Sequence, residues 1–232
     1  MSGSMITING KDGSFEGYLA KPASGTGPGV VVIQEIFGVN QVMRDIADDL
    51  AAKGFVALCP DLFWRIEPGI QLTDQTEEEW ARAFELFNLF DVAKGMEDIQ
   101  ATIDALRGVE GVNGKVGTVG YCLGGQLAFL SGTRTDVDAA VGFYGVNIPA
   151  WLGEAGNIKK PVMLHVAEQD EFVDHVAQAE MHKGLDDNPL VTLHDYPGMD
   201  HAFARVGGAH YDKPNADLAN ERTLEFFNTN LG

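Results

Sequence analysis

Short apolar segments alternate with segments of helical periodicity along most of this chain. Each apolar segment is continuous rather than alternating with polar residues, which is typical of strands that are buried on both faces. The apolar segments occupy residues 30–33, 55–58, 116–120, 139–144, 162–166 and 191–196. This order of elements predicts an α/β protein with a mostly parallel central sheet and helices on both of its faces.

The segments between these strands carry the signals of helices. Asn40 is a suitable N-cap for a helix that Gly54 closes. Residues 77–106 predict a second helical stretch that breaks near residues 91–95, because Gly95 is unfavourable inside a helix. The same signals predict helices over residues 125–132, 174–185 and 217–230, and an antiparallel edge strand over residues 15–19.

Length and composition are those of one globular domain. The chain has 232 residues, of which 45% are hydrophobic and 22% are charged, so disorder is excluded as the main state. No repeat, low-complexity tract or linker interrupts the pattern, and we expect a single domain over residues 1–232. Residues 1–4 resemble an added segment, with a native start expected at Met5.

The net charge restricts the partners that this protein can have. Acidic residues outnumber basic ones by 34 to 16, which gives a formal charge of −18 and argues against nucleic acid and anionic membranes. We find no apolar run of about 18 residues and no basic-then-apolar leader, so we expect a cytoplasmic protein. We expect a monomer, with a dimer as the open alternative.

The two cysteines, Cys59 and Cys122, cannot form a disulfide framework and fit a reducing compartment. Cys59 follows a strand beside a proline and is expected to be a packing residue. No cluster of His, Cys and carboxylate residues has the spacing of metal ligands, so we expect no metal and no cofactor.

The segment KVGTVGYCLGGQ, residues 115–126, ends a strand and begins a helix with a cysteine between glycines. This is the pattern of a nucleophile elbow, in which a strained turn exposes the nucleophile and small residues must flank it. The new helix directs the positive end of its dipole at Cys122, which favours a thiolate. The backbone N–H of Leu123 is then one donor to an oxyanion.

A nucleophile elbow predicts that an acid and then a histidine follow, each just after a later strand. Asp170 and His201 have these positions, so we expect His201 to take the proton of Cys122 and Asp170 to orient the imidazole. Spacing alone leaves other carboxylates and one other histidine open: Glu168, Glu171, Asp200 and His210.

The second oxyanion donor is expected in the loop after an earlier strand. That loop is QEIFG, residues 34–38, which makes the N–H of Ile36 the candidate and places the Glu35 carboxylate beside it. Close to a thiol, Glu35 would oppose ionisation by repulsion or hold the thiol proton. Two long loops after strands, residues 61–75 and 199–214, are further places for a site.

Four motifs together resemble those of the dienelactone hydrolase family. They are QEIFGVN at 34–40, CPDLF at 59–63, GYCLGG at 120–125 and HAFAR at 201–205, and the likeness runs over nearly the whole chain. The resemblance implies an α/β-hydrolase fold with a Cys-His-Asp triad, and it assigns the acid to Asp170.

The resemblance also implies roles outside the triad. Glu35 is expected to pair with the resting thiol, and Arg205 to hold Glu35 or a substrate carboxylate. Two departures from the family pattern, Trp80 in place of a second substrate-binding arginine and Phe84 in place of a tyrosine, weaken the case for a strongly acidic substrate. Side chains expected to contact substrate are Arg205, Arg82, Trp80, Phe84 and Phe37.

The leading hypothesis is therefore hydrolysis of small lactones or carboxylic esters through an acyl-enzyme on Cys122. A carboxylesterase or thioesterase with another substrate would use the same residues. The segment GYCLGGQ also resembles the elbow of a class I glutaminase, but the late His-x-Glu of that family is absent: the chain reads HAF at 201–203. The third alternative is an α/β-hydrolase fold that binds a ligand without catalysis.

Overall fold

The computed structural model describes residues 3–232 of the chain. Met1 and Ser2, part of the stretch expected to be an added segment, lie outside the described residues. The fold is α/β, with an eight-stranded, mostly parallel sheet in the strand order 1-2-4-3-5-6-7-8. The chain divides into two compact units, the first ending at Gly117 and the second spanning Thr118–Gly232. The expectation of a single domain stays a prediction.

The first unit contains four strands, the start of a fifth, and three helices. Its strands are β1 (Ser4–Asn9), β2 (Ser14–Ala20), β3 (Gly27–Ile33) and β4 (Val56–Pro60), and β5 (Val112–Tyr121) begins in it. Its helices are α1 (Gln41–Ala52), α2 (Glu77–Leu89) and α3 (Val92–Arg107).

The prediction that residues 15–19 form an edge strand is wrong about the edge. Strand β2 pairs antiparallel with β4 on one side and antiparallel with β1 on the other, from Ser4 opposite Leu19 to Asn9 opposite Ser14. Strand β1 lacks a buried apolar run, because only Ile8 among its residues is fully buried. An outer strand needs to bury little, and its sequence signal is correspondingly weak.

Helix α1 begins where the sequence predicts, with the Asn40 side chain accepting a hydrogen bond from the N–H of Met43. The expected break between α2 and α3 is also confirmed, but its predicted cause is wrong. Asp91 caps α3 by accepting from the N–H of Lys94, whereas Gly95 lies inside that helix. A Cβ at Gly95 would overlap the ring of Phe90, so this glycine makes room for the aromatic side chain.

The second unit contains the end of β5, three further strands and three α-helices. The strands are β6 (Ala139–Phe143), β7 (Val162–Ala167) and β8 (Val191–Tyr196). The α-helices are α4 (Leu123–Arg134), α5 (His175–Leu185) and α6 (Lys213–Leu231), and a 3₁₀ helix, which the sequence pattern did not predict, spans Ile148–Asn157.

Two expectations for the second unit need correction. Helix α6 begins at Lys213 rather than near residue 217, because Asp212 caps it and Pro214 occupies its first turn. Strand β8 was expected to be buried on both faces, yet Thr192 and Asp195 are exposed. It is the last strand in the order of the sheet, so only one of its edges is paired.

The packing at Gly95 generates a stability prediction. Replacing an interior helical glycine by alanine usually stabilises a helix by about 1 kcal/mol. Here we expect Gly95→Ala to lower the free energy of unfolding by about 1–3 kcal/mol, because the added methyl group must displace the Phe90 ring. Urea unfolding measures this change. Gly153→Ala is the control, since a Cβ at Gly153 meets no atom within 4 Å; a more stable Gly95→Ala variant would contradict the packing argument.

Candidate active site

Cys122 is the single residue between strand β5 and helix α4. Its backbone has φ 57° and ψ −114°, a conformation that residues other than glycine rarely adopt. Its N–H donates to the carbonyl oxygen of Phe143 at 3.1 Å, and its own carbonyl oxygen accepts from the N–H of Gly125 at 3.0 Å. These hydrogen bonds hold the strained turn between the end of β6 and the first turn of α4.

The glycines of the elbow are required by close backbone approach. A Cβ at Gly120 would overlap the carbonyl group of Gly124. A Cβ at Gly125 would lie 2.5 Å from the carbonyl oxygen of Phe143 and 2.7 Å from the Cα of Gly145. Helix α4 can therefore begin directly after the strand and lie against β6 only where these side chains are absent.

The start of α4 makes the elbow electrostatically positive. Leu123 is the first residue of a 12-residue helix, so its N–H has no acceptor within the helix. The partial positive charge at the helix N-terminus favours an anion beside it. Cys122 is buried, with 7% of its surface exposed, which limits screening by water. The arrangement is suited to a thiolate or to an oxyanion formed next to it.

Asp170 and His201 form a buried hydrogen-bonded pair in the same unit. Asp170 lies in the loop after β7 and His201 in the loop after β8. Nδ1 of His201 and Oδ2 of Asp170 are 2.7 Å apart, and each residue is 4% exposed. The other carboxylate oxygen of Asp170 accepts from the N–H of Phe172 at 2.8 Å. Both oxygens are thus engaged, which holds the carboxylate in one orientation.

None of the carboxylates that spacing alone left open pairs with the His201 ring; Asp200 instead lies 3.7 Å from Nδ1 of His210. Glu168 accepts a hydrogen bond from the N–H of Gly198 at 2.7 Å. Asp200 accepts from the backbone N–H of His201, also at 2.7 Å. Glu171 is exposed. His210, the rival histidine, contacts the backbone carbonyl of His201 at 3.2 Å through Nδ1.

Two aromatic side chains that the sequence analysis did not select enclose the ring of His201. Tyr144 and Phe172 lie edge-on to the imidazole, with ring centroids 5.1 and 4.8 Å away. Tyr144 directly follows strand β6 and has φ 37°, and Phe172 follows Asp170 by two residues. Positions just after the carboxyl ends of parallel strands are where ligand sites form, and this rule could have selected both residues.

The imidazole of His201 is available on its second nitrogen. Within the part of the chain that the structure describes, Nε2 of His201 is buried and has no hydrogen-bond partner of normal geometry. Burial lowers the pKa of His201, but the charge of Cys122 and the hydrogen bond to Asp170 outweigh this effect and raise the pKa to about 10. Cys122 therefore lies close enough to the imidazole of His201 for a strong electrostatic interaction.

The loop expected to supply the second oxyanion donor, residues 34–38, lies in the first unit. Glu35, Ile36 and Phe37 are all buried, at 2, 4 and 1% exposure. The loop is anchored to residues 61–72: the Gln34 side chain accepts from the N–H of Leu62 at 3.0 Å, and the Phe37 carbonyl accepts from the N–H of Leu72 at 2.9 Å. The pairing of Glu35 with the resting thiol stays a prediction.

An aromatic cluster adjoins this loop within the first unit. Trp80 lies edge-on to Phe37, with ring centroids 5.1 Å apart, and stacks on Phe84 at 5.6 Å. Arg82, on the same helix, forms ion pairs at 2.5 Å with Glu67 and with Glu85. Its charge is therefore already balanced by two carboxylates, while the aromatic rings present an apolar surface.

Arg205 lies in the second unit, in the turn that follows His201. It is 7% exposed, and its backbone N–H donates to the carbonyl of Ala202 at 2.9 Å. Ala202 has φ 62°, so the chain turns sharply between the histidine and this arginine. Its expected roles, holding Glu35 or a substrate carboxylate, stay predictions.

Within residues 3–232, no group of three or more His, Cys, Asp or Glu side chains could hold a metal ion. Among the helices of this part of the chain, none is long and apolar enough to cross a membrane.

Curated relatives cover almost the whole chain. A protein of Azospirillum brasilense named "Putative carboxymethylenebutenolidase" is 51% identical over 225 residues, which are 96% of each chain. The "Carboxymethylenebutenolidase" of Pseudomonas putida is 41% identical over 222 residues, covering 95% of this chain and 94% of its own.

Together with these relatives, the architecture is that of a hydrolase of the α/β-hydrolase fold. A solved structure described as a "Putative Dienelactone Hydrolase" from Klebsiella pneumoniae has a TM-score of 0.85 at 25% identity and covers 97% of this chain and 98% of its own. The sequence model of the "Dienelactone hydrolase family" matches residues 15–231. The chain belongs to the dienelactone hydrolase family, as its four motifs predict.

The raised pKa of His201 generates a titration prediction. A folded-state pKa of about 10, above the ordinary 6.5, means that protonation of His201 stabilises the fold fully below about pH 6.5 and that this contribution is lost as the pH rises through 10. NMR titration of the imidazole should therefore give a midpoint near 10 in the wild type. The midpoint should fall in Cys122→Ala, because the charge of Cys122 is the largest influence that raises it.

Cys59→Ala is the control for this titration, since Cys59 does not influence the pKa of His201. A wild-type midpoint at or below 6.5, or an unchanged midpoint in Cys122→Ala, would contradict the interaction between thiolate and imidazolium.

Proposed function

We propose that this protein hydrolyses small lactones or carboxylic esters through a thioester on Cys122, with His201 and Asp170 as the other members of a triad. One observation carries the proposal: a buried Asp170–His201 pair, 2.7 Å apart, in the same unit as a cysteine at a strained helix N-terminus. His201 interacts electrostatically with Cys122. A nucleophile, a base and an orienting acid in these relations are the parts of an acyl-transfer site.

The first half of the reaction forms the thioester. The Cys122 thiolate attacks the carbonyl carbon, a C–S bond forms, and the C=O electron pair moves onto oxygen. The N–H groups of Leu123 and Ile36 are the proposed donors to this oxyanion. The oxyanion collapses, the ester C–O bond breaks, and the His201 imidazolium donates its proton to the leaving alkoxide. In a lactone, the alcohol stays tethered to the acyl group.

The second half releases the product. Water adds to the thioester carbonyl while neutral His201 takes one of its protons, and Asp170 stabilises the resulting imidazolium. The C–S bond then breaks and returns the thiolate beside the imidazolium. Glu35 is proposed to take the proton of the resting thiol when substrate arrives, which generates the attacking thiolate, and to return it after product release, as the family resemblance implies.

We infer that the substrate carries little negative charge. The relatives' name describes hydrolysis of a carboxymethylene-substituted butenolide, a small unsaturated lactone that carries one carboxyl group. In this chain Arg82 is engaged by Glu67 and Glu85, and Trp80 and Phe84 supply stacked rings. Aromatic rings bind flat, apolar lactones better than dianions. Arg205 remains the proposed partner of a single substrate carboxylate. The acidic composition supports a monomer without nucleic-acid or membrane partners, and two cysteines without a disulfide framework fit the reducing cytoplasm.

The alternatives have less support. A carboxylesterase or thioesterase would share the same chemistry and differ only in its substrate. The late His-x-Glu that a class I glutaminase needs is absent from this chain. Membership of the dienelactone hydrolase family does not support a purely ligand-binding role.

Replacement of the nucleophile tests the mechanism. We expect Cys122→Ala to lower kcat for p-nitrophenyl acetate and for an unsubstituted butenolide by at least about 1000-fold, because loss of a triad nucleophile removes the covalent route. Cys59→Ala is the matched control and should retain at least half of the activity, since Cys59 is fully buried and burial raises the pKa of its thiol. Substantial turnover by Cys122→Ala would exclude the thioester.

A substrate panel tests the inference about charge. We expect kcat/KM for uncharged lactones and p-nitrophenyl esters to exceed that for a dienelactone carboxylate, because Arg82 is already paired with two carboxylates. Arg82→Gln should change the ratio of kcat/KM values between these substrates less than about twofold, because exposed ion pairs such as those of Arg82 contribute little free energy. A strong preference for the carboxylate, lost on replacing Arg82, would contradict the inference.

A further inference from the structure

The loop that carries Asp170 is closed by one buried side chain. Residues 167–173 connect β7 to α5, and Gln178, in the first half of α5, is 8% exposed. Its side-chain NH₂ group lies within hydrogen-bond distance of three backbone carbonyl oxygens, those of Val173 at 2.7 Å and of Ala167 and Glu168 at 3.1 Å each, so two of these acceptors share one proton. One amide thus joins both ends of the loop.

These contacts determine the chemical group that is needed at position 178. Three carbonyl oxygens surround the side-chain nitrogen, and each can only accept a hydrogen bond. A carboxylate there would face them without a proton, and an apolar side chain would leave the carbonyls unpartnered in a buried place. The NH₂ group of a glutamine is long enough to donate to carbonyl oxygens at both ends of the loop at the same time.

A second set of hydrogen bonds connects the same loop to the loop that carries His201. The N–H of Glu168 donates to Tyr196 O at 3.2 Å, and the N–H of Gln169 donates to Met199 O at 2.8 Å. The Glu168 carboxylate accepts from the N–H of Gly198 at 2.7 Å. Gly198 has φ 74°, so this contact lies on the sharp turn that leads to His201.

We propose that Gln178 and Glu168 are positioning residues that set the Asp170–His201 distance: Gln178 closes the acid loop, and Glu168 fastens it to the turn before the histidine. Neither side chain hydrogen-bonds Asp170 or His201 in the described structure, so both act through backbone. The proposal rests on the proposed function, in which this pair orients the catalytic imidazole. Sequence spacing alone left Glu168 open as the acid of the triad. The proposal instead gives Glu168 the role of supporting Asp170.

The test compares kinetic and spectroscopic effects in the full-length protein. We expect Gln178→Leu to lower kcat for p-nitrophenyl acetate about 10- to 100-fold, because small displacements of catalytic groups have effects of this size. KM should change less than about twofold, since no substrate contact is lost. The proton shared by His201 and Asp170 should give a far-downfield ¹H NMR signal in the wild type, and we expect this signal to disappear in Gln178→Leu.

A helix variant separates positioning from general stability. Leu185→Ala removes a fully buried side chain from the other end of α5. Assayed at a temperature where circular dichroism shows all variants folded, it should keep kcat within about twofold of the wild type and should keep the downfield signal. If Leu185→Ala loses both to the same extent as Gln178→Leu, the positioning role is overturned.

The Glu168 variants decide the matter if Gln178→Leu does not fold. Glu168→Gln keeps an oxygen acceptor for Gly198 and should retain kcat and the downfield signal, whereas Glu168→Leu should lower kcat roughly 3- to 10-fold and broaden the signal. An unchanged signal in folded Gln178→Leu, or in Glu168→Leu, overturns the proposal. If the wild type hydrolyses no ester, the proposed function fails, and the NMR signal alone still decides whether these side chains position Asp170.

Discussion

The backbone of Cys122 is the constraint on which the second unit depends. A residue other than glycine at φ 57° costs free energy, and it persists only where its surroundings enforce it. The hydrogen bond to Phe143 and the close approach at Gly120 and Gly125 provide that enforcement. The same geometry places the thiol at the N-terminus of α4, so the backbone strain and the electrostatic environment of Cys122 have one origin.

Asp170 and His201, the proposed acid and base, are held by a different kind of structure. Asp170 and His201 lie in loops, where side chains are usually mobile. Here each loop is tied by backbone hydrogen bonds, and the buried amide of Gln178 joins the two ends of one of them. Aromatic rings enclose the imidazole while its Nε2 remains without a hydrogen-bond partner among the described residues. Rigid support around one open nitrogen is what a catalytic base requires.

Particular elements explain why some predictions hold and others do not. Strands such as β3 and β7 are buried along nearly their whole length, so their apolar runs are strong signals. Strand β1 buries little and has a weak signal. The break before α3 follows from local capping by Asp91, whereas the role of Gly95 depends on how the Phe90 ring packs against α3. A helix cap can be predicted from neighbouring residues, but the packing of a side chain such as Phe90 against the next helix cannot.

The sequence by itself determined the α/β class and the strand-to-helix turn at Cys122, because strand burial and turn chemistry are encoded in neighbouring residues. Its motifs also predicted the family, which the comparisons confirm. Only the tertiary structure decided which carboxylate meets the imidazole, since Glu168, Asp170 and Glu171 occupy one short loop. Side chains that are close in this loop point to different partners: Glu168 contacts Gly198, and Asp170 contacts His201. Both partners lie in the loop after β8, so the local sequence does not reveal them.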